Sequence, residues 1–154
     1  MNKREVQKRV LTNGKPLALN LFTWDEKTKT LSSKEDSLVI DFDGVNGCTF
    51  ETGSYCTFTT GFDCVFKAGR GCVFSTESRC TFKTEFDCVF KTGGHCTFKT
   101  EFDCVFKTGC GCAFETGHGC VVVRTDPHEV IKLKEGQKIK LNGYGVKGFT
   151  IVKT

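Results

Sequence analysis

Cys80-Thr81-Phe82-Lys83-Thr84-Glu85-Phe86-Asp87 is followed at once by Cys88-Val89-Phe90-Lys91-Thr92-Gly93-Gly94-His95, and this eight-residue step sets the period of the chain. The thiol recurs without a slip at Cys48, Cys56, Cys64, Cys72, Cys80, Cys88, Cys96, Cys104, Cys112 and Cys120. Two residues after each comes Phe50, Phe58, Phe66, Phe74, Phe82, Phe90, Phe98, Phe106 or Phe114, until Val122 ends the series. Two further on stand Thr52, Thr60, Ala68, Thr76, Thr84, Thr92, Thr100, Thr108 and Thr116. Ile40-Asp41-Phe42 has the same alternation and reads as an earlier partial unit.

Alternate positions share one face of an extended strand, so Cys, Phe and Thr point one way. The residues between them, Thr or Val and then mostly Lys, Glu or Ser, point to solvent. The spacing predicts a five-residue strand and a three-residue corner, with Gly at the sixth position supplying a positive φ. One octad cannot bury its own Phe, whereas stacked octads bury a continuous column. At roughly 25 cal/mol per Å² of apolar surface, nine such Phe dominate the favourable energy. The fold class is therefore all-β, a single-chain β-solenoid whose coils hydrogen-bond at about 4.8 Å.

The number of octads per coil has two readings. The block CTFKTEFDCVFKTG occurs at Cys80 and again at Cys96, an offset that favours two octads and a flattened, two-faced coil. A three-octad triangular coil is the rival, because the octads at Cys64, Cys88 and Cys112 all lack Phe at the seventh position.

Outside the repeat, residues 1–39 and 125–154 read as β-hairpin caps on a solenoid spanning 40–124. Asn13-Gly14 signals one hairpin turn, and Phe22-Thr23-Trp24 with Thr30-Leu31 flanks a second. Val130–Leu133 and Lys138–Leu141, around Glu135-Gly136, read as a third, followed by a strand at Phe149–Val152. Caps of this kind protect the open ends of a stack from pairing with other strands. The Lys-rich C-terminal hairpin is also the best candidate for a partner-docking surface.

Charge follows the same division. Residues 1–47 carry 8 basic and 7 acidic side chains, residues 48–127 carry 8 and 9, and residues 128–154 carry 6 and 2. The rod is near neutral and the excess positive charge sits at the C-terminal end. Lysines without clustered Arg and aromatics are a poor footprint for nucleic acid, so no nucleic-acid partner is expected. No run approaches the ~18 apolar residues of a membrane span, and the charged start, Met1-Asn2-Lys3-Arg4-Glu5, is unlike a secretory signal. The expected setting is the cytoplasm of a host cell or a virion, where thiols stay reduced.

The run of CTFxTG units, with the flanking NGKPLAL, FTWDEKTKT and EVIKLKEGQKIKLN segments, resembles uncharacterised octapeptide-repeat proteins of bacteriophage and bacterial type. The stacked Cys and Phe are also similar in logic to pentapeptide-repeat proteins, although a period of eight does not carry that family's coil over. The resemblance implies a viral or mobile-element setting and no activity.

Little in the chain reads as chemistry. Structural zinc needs four convergent ligands, often from close Cys pairs; here the only close pair is Cys110 and Cys112, one at a corner and one in the ladder. Buried thiols acting as small hydrophobes explain the ladder, and no metal or cofactor is expected. Cys110 is the exposed exception, able to oxidise or cross-link, and a two-octad coil brings His95 near it without a third orienting group. His118 and His128 read as solvated. Glu85/Asp87 and Glu101/Asp103 read as a solvated acidic ridge. The chain is not expected to be an enzyme.

The expected function is that of a rigid scaffold, spacer or virion-associated rod that forms a homo-oligomer. Candidate interface residues are the corner aromatics Phe62, Phe86 and Phe102 and the row Val73, Val89, Val105 and Val121, sixteen residues apart. The alternatives are an ice-binding type of surface, which the outward Lys row fits poorly, and a DNA-mimic inhibitor, which a neutral rod fits poorly.

Overall fold

Left-handed backbone at every eighth residue bends the chain into coils. Gly47, Tyr55, Asp63, Gly71, Arg79, Asp87, His95, Asp103, Gly111 and Gly119 each immediately precede a ladder cysteine, and all have φ between 56° and 73°. A computed structural model describes residues 1–153. The chain opens with α1 (Lys3–Gln7), β1 (Val10–Thr12), β2 (Lys15–Pro16), a 3-10 turn (Leu19–Leu21), β3 (Thr23–Asp25), β4 (Thr30–Ser32) and β5 (Val39–Phe42). The octads supply β6 (Thr49–Glu51), β7 (Thr57–Thr60), β8 (Val65–Lys67), β9 (Val73–Ser75), β10 (Thr81–Lys83), β11 (Val89–Lys91), β12 (Thr97–Lys99), β13 (Val105–Thr108), β14 (Ala113–Glu115) and β15 (Val121–Arg124). β16 (Glu129–Lys132), β17 (Lys138–Leu141) and β18 (Phe149–Ile151) follow.

These strands form two sheets, β2-β1-β5-β7-β9-β11-β13-β15-β16 and β3-β4-β6-β8-β10-β12-β14-β17-β18. Within the stack each strand pairs in parallel with the strand two octads away: Phe82 of β10 stands opposite Phe66 of β8 and Phe98 of β12. Two octads therefore close one coil, and the triangular alternative falls. About six coils stack. Parallel stacking begins at β4, which pairs with β6, so the solenoid starts within the segment read as the N-terminal cap.

The core is the expected one. Every ladder Cys and Phe is buried. Rings of successive coils stack at 4.8–5.1 Å with planes within 10° of parallel. Rings of the two facing sheets meet edge to face at 4.8–5.7 Å. Both are favoured arrangements, adding about 0.5–1.5 kcal/mol per pair beyond area burial.

Several expectations are corrected. The octad strands span three or four residues, not five, because Cys lies where the chain leaves the left-handed corner. Positive φ falls at the eighth position and not at the sixth. Glycine at the sixth answers a close approach instead: a Cβ on Gly61 would lie 2.9 Å from the Val45 carbonyl oxygen of the preceding coil. Thr60, Thr84, Thr100, Thr108 and Thr116 are buried, but Thr52, Ala68, Thr76 and Thr92 are half-buried.

The ends also differ from expectation. The N-terminal cap holds both expected hairpins, β1–β2 around Asn13-Gly14 and β3–β4, and adds the short helix α1. Asn2 and Glu5 close α1 with a reciprocal capping box, which seats Val6 on the end of the stack. The third hairpin does not form as read. β16 pairs with β15 in one sheet, and β17 pairs with β14 in the other. The chain arches across the core, so that Ile131, Ile139 and Leu141 bury against it, a larger apolar burial than a free-standing hairpin allows. The C-terminal hairpin that exists is β17–β18. Arg124, fully buried, holds the connecting loop by donating to the Val146 and Gly143 carbonyls at 2.9 and 3.2 Å.

Candidate functional site

The sequence offers four places to look: the thiol rows, the corners, the two outer faces and the ends. In the thiol rows each buried sulfur faces backbone carbonyls at a corner. Cys80 Sγ donates to the Gly61 carbonyl at 3.5 Å, and Cys88 Sγ to that of Gly69 at 3.5 Å. Cys120 Sγ donates to the Glu101 carbonyl at 3.3 Å. In each case the acceptor is a sixth-position carbonyl of the coil one turn earlier. This explains why the position takes Cys and not Val or Ala: it must be small, apolar and able to donate weakly to a corner carbonyl of the coil below. Burial pushes the Cys48 thiol up to about 11, with the neighbouring Cys64 adding to the rise. Cys64 and Cys120 are raised first by hydrogen bonding to the next thiol in their row and then by burial. Cys56, Cys88 and Cys112 are instead lowered, first by hydrogen bonds with Cys72, Cys104 and Cys96, so each row shares its protons among neighbouring thiols and burial limits their access to reagents. No group of three or more His, Cys, Asp or Glu side chains is placed to hold a metal among the described residues.

The corners fall into two columns, because successive octads turn at opposite edges. Phe86 and Phe102 share one edge, stacked at 4.6 Å. His118 continues the column, parallel to Phe102 at 5.1 Å, and the Arg70 guanidinium lies over Phe86 at 5.6 Å from the ring centre. Phe62 lies on the other edge, in the corner before β8, and does not join them. There Arg79 lies over its ring at 5.4 Å and bridges Asp63 at 2.9 Å. The Arg79 guanidinium holds the Asp63 carboxyl below the usual carboxylate range. The expected three-Phe edge is thus two separate features. His118 as a member of the column was missed, although its sixteen-residue offset from Phe102 carries the signal once the coil is known.

Cys110 is half-buried beside Gly94, as a two-octad coil requires, and the His95 amide donates to its carbonyl at 2.9 Å. The His95 ring instead packs on Gly111, where a Cβ would lie 2.6 Å from it. No hydrogen bond joins the imidazole to the thiol among the described residues, so the two do not form a nucleophile–base pair. A shallow groove of about 790 Å³ runs along one edge between Asn20, Leu21, Glu35, Gly53, Ala68 and Glu85. Neither imidazole nor thiol lines it.

The outer faces differ in character. On the first sheet Val39, Thr57, Val73, Val89, Val105 and Val121 stand in register as one straight row. Val73, Val89 and Val105 are each 44–46 % exposed, while Val121 is half-buried beside β16. The neighbouring row reads Asp41, Thr59, Ser75, Lys91, Lys107 and Val123. On the second sheet the rows are Thr49, Val65, Thr81, Thr97, Ala113 and Glu51, Lys67, Lys83, Lys99, Glu115. No helix is long and apolar enough to cross a membrane.

No protein-family model matches the chain, and no curated protein and no solved structure is significantly similar to it.

Proposed function

We propose that the chain is a non-enzymatic structural rod that pairs with a second copy of itself through the outer face of its first sheet. The observation that supports this reading best is the unbroken valine row, Val73, Val89, Val105 and Val121, on one flat face. Paired valines bury apolar surface, and two-fold pairing is the commonest homomeric arrangement.

The lysines of the neighbouring row would oppose pairing only if they met one another, and their positions prevent that. With the two-fold axis along the strand direction, rods run antiparallel and each row meets its own reverse. Lys107 then faces Thr59, Lys91 faces Ser75, and Val73 faces Val89. No lysine faces a lysine, so the like-charge cost at interfaces is avoided. A face six rungs tall at ~4.8 Å per rung and about 14 Å wide offers about 400 Å² per copy. Specific interfaces seldom bury less than ~1,000 Å² in total, so pairing of this extent is weak and concentration-dependent, as suits a scaffold assembled at high local concentration.

The reading includes no cofactor and a reducing setting, the cytoplasm of a host cell or a virion assembled there. Its support is the thiol rows themselves: rungs ~4.8 Å apart lie within the Cα range of disulfides, so an oxidising compartment would invite cross-links through the core. The experiment is face-specific cross-linking in a Cys110→Ser background, with one thiol introduced by Lys91→Cys on the first sheet or by Lys83→Cys on the second. A bismaleimide should join two copies of the Lys91→Cys protein only. Equal cross-linking from both faces, or from Lys83→Cys alone, refutes the proposal.

A further inference from the structure

The two ends of the rod are finished differently. At the N-terminal end Pro16 occupies one edge, and Val6 of α1, Leu17 and Phe22 are buried over the end of the stack. Proline and cover are the ordinary protections of a sheet edge. At the C-terminal end β16 and β18 are the outermost strands of their sheets; β18 has no proline, and all three of its residues are exposed. β18 continues the inner face of its sheet: Phe149 stands opposite the buried Leu141, and Ile151 opposite the buried Ile139. The other sheet has already ended at β16, so Phe149 and Ile151 face no strand among the described residues and are 40 % and 57 % exposed. Apolar side chains in core register, on a strand with an unpaired edge, are the features of a sheet that accepts an added strand.

Charge decides what kind of strand. Residues 128–154 carry 6 lysines and 2 glutamates, and none of those lysines forms an ion pair among the described residues. A second copy offers the same excess of lysine at this end, and a net charge of +1 over residues 1–47 at the other, so self-association here is repulsive. We infer that the C-terminal end of the solenoid is a docking site for an acidic, extended segment of a partner protein. That segment adds as a strand at the free edge, packs its apolar side chains on Phe149 and Ile151, and presents its carboxylates to the surrounding lysines. Nucleic acid would share the charge but not the apolar packing. This end lies apart from the face proposed for pairing, so the two ideas stand or fall separately.

The test is fluorescence anisotropy of the full chain with three labelled probes: a short peptide alternating Glu with Val, the same peptide with Lys for Glu, and a duplex DNA oligonucleotide. Saturable binding of the Glu/Val peptide alone is expected, weakening as salt rises. Phe149→Ser with Ile151→Ser should weaken it at least about tenfold, a loss of 1.4 kcal/mol. Hydrogen exchange of the wild-type chain provides a reading independent of the variant's folding: bound peptide should protect residues 149–151. Binding unchanged in the double variant, no protection of β18, equal binding of the Lys/Val peptide, or binding of DNA alone overturns the inference.

Discussion

Phe82 and Phe98, sixteen residues apart, stack with ring centres 4.9 Å apart and planes 4° from parallel. Their strands pair residue for residue, Thr81 with Thr97 and Lys83 with Lys99. One register thus fixes ring stacking in the core and the rows on the surface together. A side chain's role is decided by its place in the octad and by which of the two edges its octad turns at.

Phe90 lies mid-stack, touching Phe74 and Phe106 in its own sheet and Phe82 and Phe98 across the core. Phe90→Ala should cost about 3–5 kcal/mol, the range for buried Phe truncation. Its outward neighbour gives the contrast: Lys91→Ala should stay within about 0.5 kcal/mol. Urea melts of the two variants check this, and similar midpoints would mean that inside and outside are misassigned.

The eighth position needs a left-handed residue, and Asp87 adopts φ 57°. Left-handed backbone costs an L-residue about 1–2 kcal/mol, more for a β-branched one. Asp87→Gly should therefore leave stability unchanged or raise it, while Asp87→Val should lower it by at least about 1 kcal/mol. At the sixth position the cost is steric instead: a Cβ on Gly93 would lie 2.9 Å from the Ser78 amide nitrogen, so Gly93→Ala should itself lower the urea midpoint, although Gly93 lies outside the left-handed region.

All eleven cysteines are free thiols, ten of them buried and Cys110 half-buried. A thiol reagent should modify one cysteine quickly in the folded protein and eleven after unfolding without reductant. Cys110→Ser should abolish the fast reaction. Several fast-reacting thiols would mean that the ladder opens readily.

Burial raises the Cys48 thiol to about 11 from an ordinary 9.0. The folded state therefore holds this proton more tightly than the unfolded state does. Stability from this source is fully present below about pH 9 and is lost as pH rises toward 11. Cys64 and Cys120 act in the same direction, whereas Cys56, Cys88 and Cys112 are lowered by hydrogen bonds from neighbouring thiols and act in the opposite one. The wild-type urea midpoint should fall relative to that of Cys48→Ala between pH 8 and pH 10.5; a difference that grows in favour of wild type over this interval contradicts the assignment.

Much of this was legible in the octad. Alternation placed Cys80, Phe82 and Thr84 inward, and the duplicated block at Cys80 and Cys96 pointed to the two-octad coil. What was not legible depends on three-dimensional neighbours. The left-handed corner residue can be Asp, Arg, His or Tyr as well as Gly, so composition pointed to the sixth position when the eighth was meant. β16 and β17 have the alternation of a hairpin, and nothing local says that they join different sheets; that is decided by Ile131 and Ile139 reaching the core. Phe62 looked equivalent to Phe86 and Phe102 because octads at opposite edges read alike. The valine row could be read, but the offset that sets lysines against Ser75 and Thr59 needed the register of the whole face.

Pairing through that face is the central claim, and sedimentation equilibrium of the full chain over a wide concentration range, beside Thr59→Lys with Ser75→Lys, tests it most directly. The wild-type chain should pass from monomer to dimer as concentration rises, and the double variant, with lysine set against lysine, should remain a folded monomer. A wild-type chain that stays monomeric at the highest concentration, or a double variant that dimerises as well as wild type, contradicts the account.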